Sequence, residues 1–181
     1  ADVHGVVSSA ELPYFKRYEL LLIATPEKLL LFNRSRPSAH STPLGNIPLL
    51  EAADHQETAF GFVPGNAAPL ADMGAKADEL YLVIAKRISV AGQNFGYIIV
   101  GESVRGGLLK DLDRVSQAHT GIALQGQVWS RNATAQSVAQ GFLSSQPSSA
   151  AATGEARTDF TWMGNEYFVT QTAAGLLLVK P

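Results

Sequence analysis

The sequence has no cysteine and no apolar run long enough to cross a bilayer. Without cysteine the chain forms no disulfide and performs no thiolate chemistry, a composition that suits an oxidising compartment. A membrane-spanning helix needs about eighteen or more apolar residues in a row, and a secretory signal needs a charged and then an apolar region. Neither pattern occurs here, so we expect any membrane segment to lie outside the 181 residues.

The chain also has no large excess of positive or negative charge. The chain has 14 Lys and Arg against 16 Asp and Glu, a formal net charge of -2, and its cations are scattered. A nucleic-acid partner would require a basic patch or stripe, so we expect no such partner. With 46% hydrophobic and 17% charged residues the chain is too apolar to be disordered, and it can form one domain or two small ones.

Apolar runs separated by short turns predict antiparallel strands in the first half. The runs "ELLLIAT" and "KLLLFNRS" flank a turn at residues 25–28, and "ELYLVIAKRISV" and "NFGYIIVGESV" are joined through residues 91–94. Before them, "SAELPYFKRYE" at residues 9–19 predicts an amphipathic N-terminal helix. The Pro- and Gly-rich stretch 35–74 holds a helical "IPLLEAADHQ" and a strand-like "TAFGFV", and is a candidate ligand-covering segment.

The second half repeats this order in shorter form. In "GLLKDLDRVSQAHT" the apolar residues and His119 recur on one helical face, which predicts a helix that Gly121 ends. His119 is then expected to be a partly buried, hydrogen-bonded core residue. A minimal hairpin around Gly126 follows, and the last segment supplies two or three strands. The pattern of strands, helical part and strands thus covers residues 18–104 and again 121–181.

Five stretches carry a family likeness through their order of strands, turns and linker helix. They are "YELLLIATPEKLLLFNRS", "IPLLEAADHQ", "ELYLVIAKRISVAGQNFGYIIVGESV", "GLLKDLDRVSQAHTGIALQGQVWS" and "FTWMGNEYFVTQTA". Together they resemble the double Cache domains, which are PAS-like extracytoplasmic sensors of bacterial histidine kinases, chemoreceptors and cyclases. The Tyr, Arg, Trp and Asp set by which some members hold amino acids is not found, because no Trp precedes Trp129.

The resemblance implies an α+β fold of two PAS-like modules, each an antiparallel sheet with flanking helices, joined by a linker helix. Residues 1–104 would form the larger, membrane-distal module with the N-terminal helix, 105–120 the linker, and 121–181 the smaller, membrane-proximal module. It also implies a small-molecule pocket in the first module, no cofactor, transmembrane helices on both sides, and a periplasmic position in an inner-membrane protein. We further expect a homodimer through the N-terminal helix.

The candidate ligand-binding residues lie on and around the long hairpin. Side chains alternate across a strand, so Tyr81 and Arg87 share one face, about 20 Å apart, while Lys86 points to the other. A lone cation on an apolar face must reach water, pair with an acid or meet a ligand. The planar donor fork of Arg87 suits an anion, whereas the long stem of Lys86 can carry its ammonium to water. Tyr97 and Phe62 are candidate pocket walls or plain core residues.

Two other classes of function remain open. Residues 101–105 superficially copy the strand-to-helix turn of a serine hydrolase, with Ser103 as nucleophile. That turn needs a small residue two places after the serine, and Arg105 stands there, so Ser103 is predicted to cap the linker helix instead. A profilin-like interaction domain would show an exposed apolar patch and no pocket. The acids around His55 match no known metal spacing, so we expect no metal.

Overall fold

The computed structural model describes residues 18–45, 47–68, 70–145, 156–172 and 175–181. The chain divides into two compact units, one ending at Ser103 and one beginning at Val104. The predicted boundaries, with a separate linker at 105–120, stay a prediction. The predicted N-terminal helix lies outside the described residues apart from Tyr18 and Glu19.

The first unit is one antiparallel sheet with a helix on its inner face. The strand order is β2-β1-β5-β4-β3, and the helix packs on β3 and β4. Its elements within the described residues are β1 (Leu20–Ala24), β2 (Leu30–Asn33), α1 (Pro48–Gln56), β3 (Thr58–Pro64), β4 (Leu80–Val90) and β5 (Gln93–Ser103), with a 3-10 turn at Ala71–Met73.

Both predicted hairpins of this unit are confirmed. Strand β1 pairs with β2 and also with β5, so it is an interior strand, and its Leu-rich run is buried on both faces. Strands β4 and β5 pair along their whole length across the turn at Ala91-Gly92. A bulge between Ile88 and Ser89 re-aims the end of this hairpin.

The stretch 35–74 supplies the edge strand β3, and other parts of it pack on the inner face of the sheet. Ser41 donates its backbone N–H to Leu30 at 2.7 Å, and Leu30 donates to Thr42 at 2.9 Å, so the start of the stretch follows β2. Farther along, Leu44, Leu50 and Met73 are buried in the same core as the inner residues of β1, β4 and β5. Parts of the stretch therefore pack into the core, and the predicted role as a ligand-covering segment stays a prediction.

The second unit has the same strand order, counted from its own first strand. The sheet runs β7-β6-β10-β9-β8, and α3 buries Val138 and Phe142 against Val169 and Leu177. Its elements are α2 (Leu108–Ser116), β6 (His119–Leu124), β7 (Gln127–Ser130), α3 (Ala133–Ser145), β8 (Ala156–Trp162), β9 (Asn165–Gln171) and β10 (Leu176–Lys180).

The predicted end of the linker helix is wrong. Helix α2 ends at Ser116 and not near Gly121, and Gln117 takes the left-handed conformation with φ 52° that ends it. The Asp113 carboxylate accepts hydrogen bonds from both N–H and hydroxyl of Thr120, each at 2.6 Å, which fixes the turn into β6. His119 therefore opens a strand and is exposed, so its predicted core role is also wrong.

Ser103 does not cap α2. The residue before this helix is Gly107, and no side chain caps the helix. Residues 104–107 form a turn that separates Ser103 from the first residue of the helix. Ser103 instead ends β5, is buried, and donates its hydroxyl to the Glu79 carboxylate at 2.6 Å. A buried hydroxyl engaged in this way is not an accessible nucleophile.

Candidate functional site

Arg87 and Tyr97 are directly opposite each other on β4 and β5. Both belong to the inner face, because Ala85 and Ile99, the next pair on the same face, are buried in the core under α1. Tyr97 is fully buried, and on its other side it is paired with Ala24 of β1. The register of one hairpin therefore places a guanidinium and a phenol side by side under the helix.

The last turn of α1 is tied to this pair. Arg87 Nη1 donates to the backbone carbonyl of Asp54 at 2.7 Å, and the Arg87 backbone N–H donates to Glu57 at 2.8 Å. The Tyr97 hydroxyl donates to Asp54 Oδ1, and Asn94 Nδ2 donates to the Tyr97 hydroxyl at 3.1 Å. A helix ends with carbonyls that lack intrahelical partners, and here an arginine satisfies one and adds a favourable positive charge.

A second cation arrives from the turn between β1 and β2. Lys28 Nζ lies 2.9 Å from Asp54 Oδ2, and the two side chains are 29% and 33% exposed. The turn itself is fixed by Thr25, whose Oγ1 accepts the backbone N–H groups of Glu27 and Leu29, both at 3.2 Å. We call Lys28, Asp54, Arg87, Asn94 and Tyr97 together the Asp54 cluster.

The Asp54 cluster has donor capacity left over. Arg87 Nε is buried and has no hydrogen-bond partner among the described residues. Leaving a buried donor unpaired costs about 1–3 kcal/mol, so this nitrogen is a suitable contact for an incoming acceptor. The five residues of the cluster include two cations and one carboxylate, and the exposed carboxylate of Glu51 also acts on Lys28. A buried guanidinium donor of this kind suits an anionic acceptor.

The same contacts change proton affinities. The hydrogen bond from Tyr97, followed by that from Lys28, holds the pKa of Asp54 below its ordinary value, although burial opposes this. The hydrogen bond to Asp54 raises the pKa of Lys28. Burial, and then the bond to Asp54, raises the pKa of Tyr97. At neutral pH the cluster therefore holds a carboxylate, an ammonium and a neutral phenol.

Asp54→Asn should lose stability at neutral pH and lose none in strong acid. A carboxylate whose folded pKa is depressed stabilises the fold above its ordinary pKa of 3.8, and this contribution disappears as the pH falls through the lower folded value. We expect the difference in unfolding free energy between wild type and Asp54→Asn to be constant from pH 7 to about 5 and to shrink below about 4. Urea titrations across this range measure it, and a difference independent of pH would contradict it.

The other predicted site residues are not part of this cluster. Tyr81 is buried at the far end of β4, where its hydroxyl accepts the Lys76 N–H at 3.1 Å and burial raises its pKa. Phe62, 39% exposed, is opposite Leu82 on the outer face. Lys86 is exposed on that outer face as well. The structure thus brings together Arg87 and Tyr97 alone of the five, and their role in binding stays a prediction.

Sequence reasoning missed Asp54, Lys28 and Asn94. Asp54 follows the buried Ala53 and lies one turn after Leu50, so the inner face of α1 was a signal that could have indicated it. Lys28 gave no comparable signal, because its partner is 26 residues away in the chain. Within the described residues, no group of three or more His, Asp and Glu is placed to hold a metal ion.

The second unit has an open groove of different character. It measures about 720 Å³ and runs along α3. Its lining among the described residues is uncharged and comprises Ala133, Gln136, Ser137, Gln140, Gly141, Ser144, Ser145 and Trp162. A charged solute would find no counterion on these residues, so the Asp54 cluster is the better candidate for an anion.

No protein-family model matches the chain, and no curated protein is significantly similar to it in sequence. Several solved structures resemble it in fold, including the following two. The ligand-binding domain of the Pseudomonas aeruginosa PAO1 amino-acid chemoreceptor PctC, in complex with GABA, matches with a TM-score of 0.55 at 14% identity, over 100% of this chain and 82% of that one. An extracellular ligand-binding receptor from Desulfohalobium retbaense DSM5692 matches with a TM-score of 0.51 at 8% identity, over 93% of this chain and 31% of that one.

At these identities the likeness establishes the fold alone. It confirms the predicted α+β class, with two antiparallel five-stranded sheets and helices in a PAS-like, Cache-type arrangement. None of the helices in the described part of the chain has the length and apolar character to cross a bilayer.

Proposed function

We propose that this chain is an extracytoplasmic ligand-sensing domain of a membrane-anchored bacterial signalling protein, and that it binds a small anionic solute at the Asp54 cluster. The observation that carries the proposal is the buried Nε of Arg87, which has no hydrogen-bond partner among the described residues and lies in the same cluster as a second cation, Lys28. The fold supports it, because the two structural neighbours described above are ligand-binding receptors, and one of them was solved in complex with GABA. The attached output would be a histidine kinase, a cyclase or a chemoreceptor signalling domain.

The wider organisation follows the family resemblance. Residues 1–104 would be the membrane-distal module, 105–120 the linker and 121–181 the membrane-proximal module, in a periplasmic position between two transmembrane helices. A homodimer through the N-terminal helix would pass a signal to the membrane. Neither a cofactor nor an enzymatic step is part of this proposal, and the buried Ser103 offers no support for the hydrolase alternative.

A ligand at this position would act on helix α1. The end of α1 is held by contacts of Asp54 with Arg87, Tyr97 and Lys28. An anion on Arg87 Nε or on Lys28 would draw these side chains away from the backbone carbonyl and the carboxylate of Asp54, so it would bind one arrangement of α1 better than another. Such a ligand shifts the population by no more than the difference in its affinities for the two arrangements.

Arg87→Ala should abolish the response to an anionic solute, while Lys86→Ala should leave it intact. Lys86 is a matched control, because it is the adjacent cation on the opposite face of the same strand. A ligand that favours the folded state raises the melting temperature. At a hundredfold excess over its Kd it adds about 2.7 kcal/mol to the free energy of unfolding. We would screen acetate, lactate, succinate, citrate and phosphate by thermal shift, and measure each hit by calorimetric titration at 25 °C.

The result can fail in two separate ways. Arg87→Lys keeps the charge and loses the planar fork, so it should retain folding and bind more weakly than wild type. An unchanged Kd in folded Arg87→Ala would remove Arg87 from the site. A full-length gene that encodes no membrane span would contradict the receptor proposal itself.

A further inference from the structure

We propose that Lys28 is a specificity-determining residue that makes this site select carboxylates without an amino group and reject their amino counterparts. This inference rests on the proposed function, since it assumes that the Asp54 cluster is the binding site. The observation behind it is that both oxygens of the Asp54 carboxylate already have partners from this chain, Tyr97 and Lys28.

Both carboxylate oxygens of Asp54 are engaged. Oδ1 accepts the Tyr97 hydroxyl, and Oδ2 faces the Lys28 ammonium at 2.9 Å. A carboxylate in a partly buried polar cluster is the group that would hold the ammonium of an amino acid or amine. In this chain a lysine of the same unit already stands at that position. An incoming ammonium would have to displace Lys28 or lie next to it.

Lys28 is held in place by its backbone. Lys28 donates its N–H to Thr25 at 3.0 Å, and its carbonyl accepts the N–H of Leu44 at 2.9 Å. Its φ of 62° lies in the left-handed region, where glycine or asparagine is the easier choice and another residue costs about 1 kcal/mol or more. The backbone of Lys28 is therefore fixed while its ammonium lies on Asp54, which makes this pair unlike a loose surface ion pair.

The charges of the Asp54 cluster then distinguish two classes of solute. Within the cluster Lys28 and Arg87 face the one carboxylate of Asp54, while Glu51, the other acid that acts on Lys28, is exposed and screened by water. A monocarboxylate would supply a further acceptor for the two cations. An amino acid brings the same carboxylate and also an ammonium, which would share a single carboxylate with two protein cations. Like charges at contact distance disfavour this arrangement, and the penalty increases as water is excluded.

Matched solute pairs that differ only by the amino group test the proposal. We would titrate butyrate against 4-aminobutyrate, propanoate against β-alanine, and succinate against aspartate into the full chain by calorimetry. Wild type should bind the amine-free member of a pair at least about tenfold more tightly. Lys28→Met should weaken that member by about tenfold and bring the amino member to equal or tighter binding. Lys28→Arg should preserve the wild-type preference, because it restores a cation on Asp54.

Lys76→Met is the matched control, because Lys76 lies in the same unit and pairs with exposed Glu19 at 3.9 Å, away from the cluster. Its preference should equal that of wild type. Tighter binding of the amino members by wild type, or an unchanged preference in folded Lys28→Met, would overturn the role of Lys28 and leave the anion site standing. Binding of no member by wild type or either Lys28 variant would overturn the proposed site, and this inference with it.

Discussion

Gly96→Ala should lower the free energy of unfolding by about 3 kcal/mol or more, as measured by urea denaturation. Gly96 has φ +132°, a conformation that other residues rarely adopt, and an added Cβ would lie 2.2 Å from the carbonyl oxygen of Ala24. That oxygen belongs to the interior strand β1 and cannot move without disturbing its pairing with β5. Backbone strain of about 1–3 kcal/mol thus adds to an overpacking cost of similar size.

Gly92→Ala is the control that separates strain from collision. Gly92 has φ +80° in the turn of the same hairpin, and a Cβ there would meet no heavy atom within 4 Å. We expect a loss of about 1 kcal/mol from conformation alone. Equal losses for the two variants would show that β1 does not approach β5 at Gly96 as closely as described.

Since Gly96 precedes Tyr97, we also expect Gly96→Ala to weaken solute binding, and Gly92→Ala to leave it unchanged.

The hairpins were predictable because their signals are local. The turn at Ala91-Gly92 and the runs beside it lie within a few residues of each other, so propensity and alternation suffice. Helix α1 and strand β3 were also indicated inside the Pro- and Gly-rich stretch. The repeated order of elements predicted two modules, and the identical strand order of the two sheets agrees with this.

The errors arise where local patterns compete with tertiary contacts. Gly121 had the better propensity to end a helix, but the hydrogen bonds of Asp113 to Thr120 set the chain reversal earlier. Ser103 had the right residue type for a cap, but its strand continues to that position and Glu79 takes its hydroxyl. A local sequence pattern does not show that Asp113 binds Thr120 or that Glu79 binds Ser103, because the two residues of each pair meet only after folding.

The candidate site was half predictable for the same reason. The alternation of β4 placed Arg87 on an apolar face, and a lone cation there required a partner. Neither alternation nor composition could show that the partner is the last turn of α1, 33 residues earlier. Lys28 was beyond sequence reasoning altogether, since a lysine in an exposed turn is usually a solvated surface residue. Only the approach of that turn to α1 gives its ammonium a role.

Phe142→Ala should cost about 3–5 kcal/mol of unfolding free energy in the second unit. Phe142 is 2% exposed, packs edge-to-face on Phe160 with ring centroids 5.6 Å apart, and lies in the core with Val169 and Leu177. Truncation removes the burial of a whole ring and leaves a cavity that surrounding helix and sheet fill only in part. A small unit has few other apolar contacts to compensate, so its unfolding transition should move to markedly lower urea concentration.

Phe168→Ala is the matched control for this loss. Phe168 lies on β9 of the same sheet but is 62% exposed, so its truncation should change stability by about 0.5 kcal/mol or less. Comparable losses for both variants would contradict the placement of Phe142 in the core.

Every residue of the Asp54 cluster belongs to the first unit. A solute bound there should therefore keep its Kd in Phe142→Ala at temperatures where the variant is folded, and a lost Kd under those conditions would mean that binding depends on the second unit.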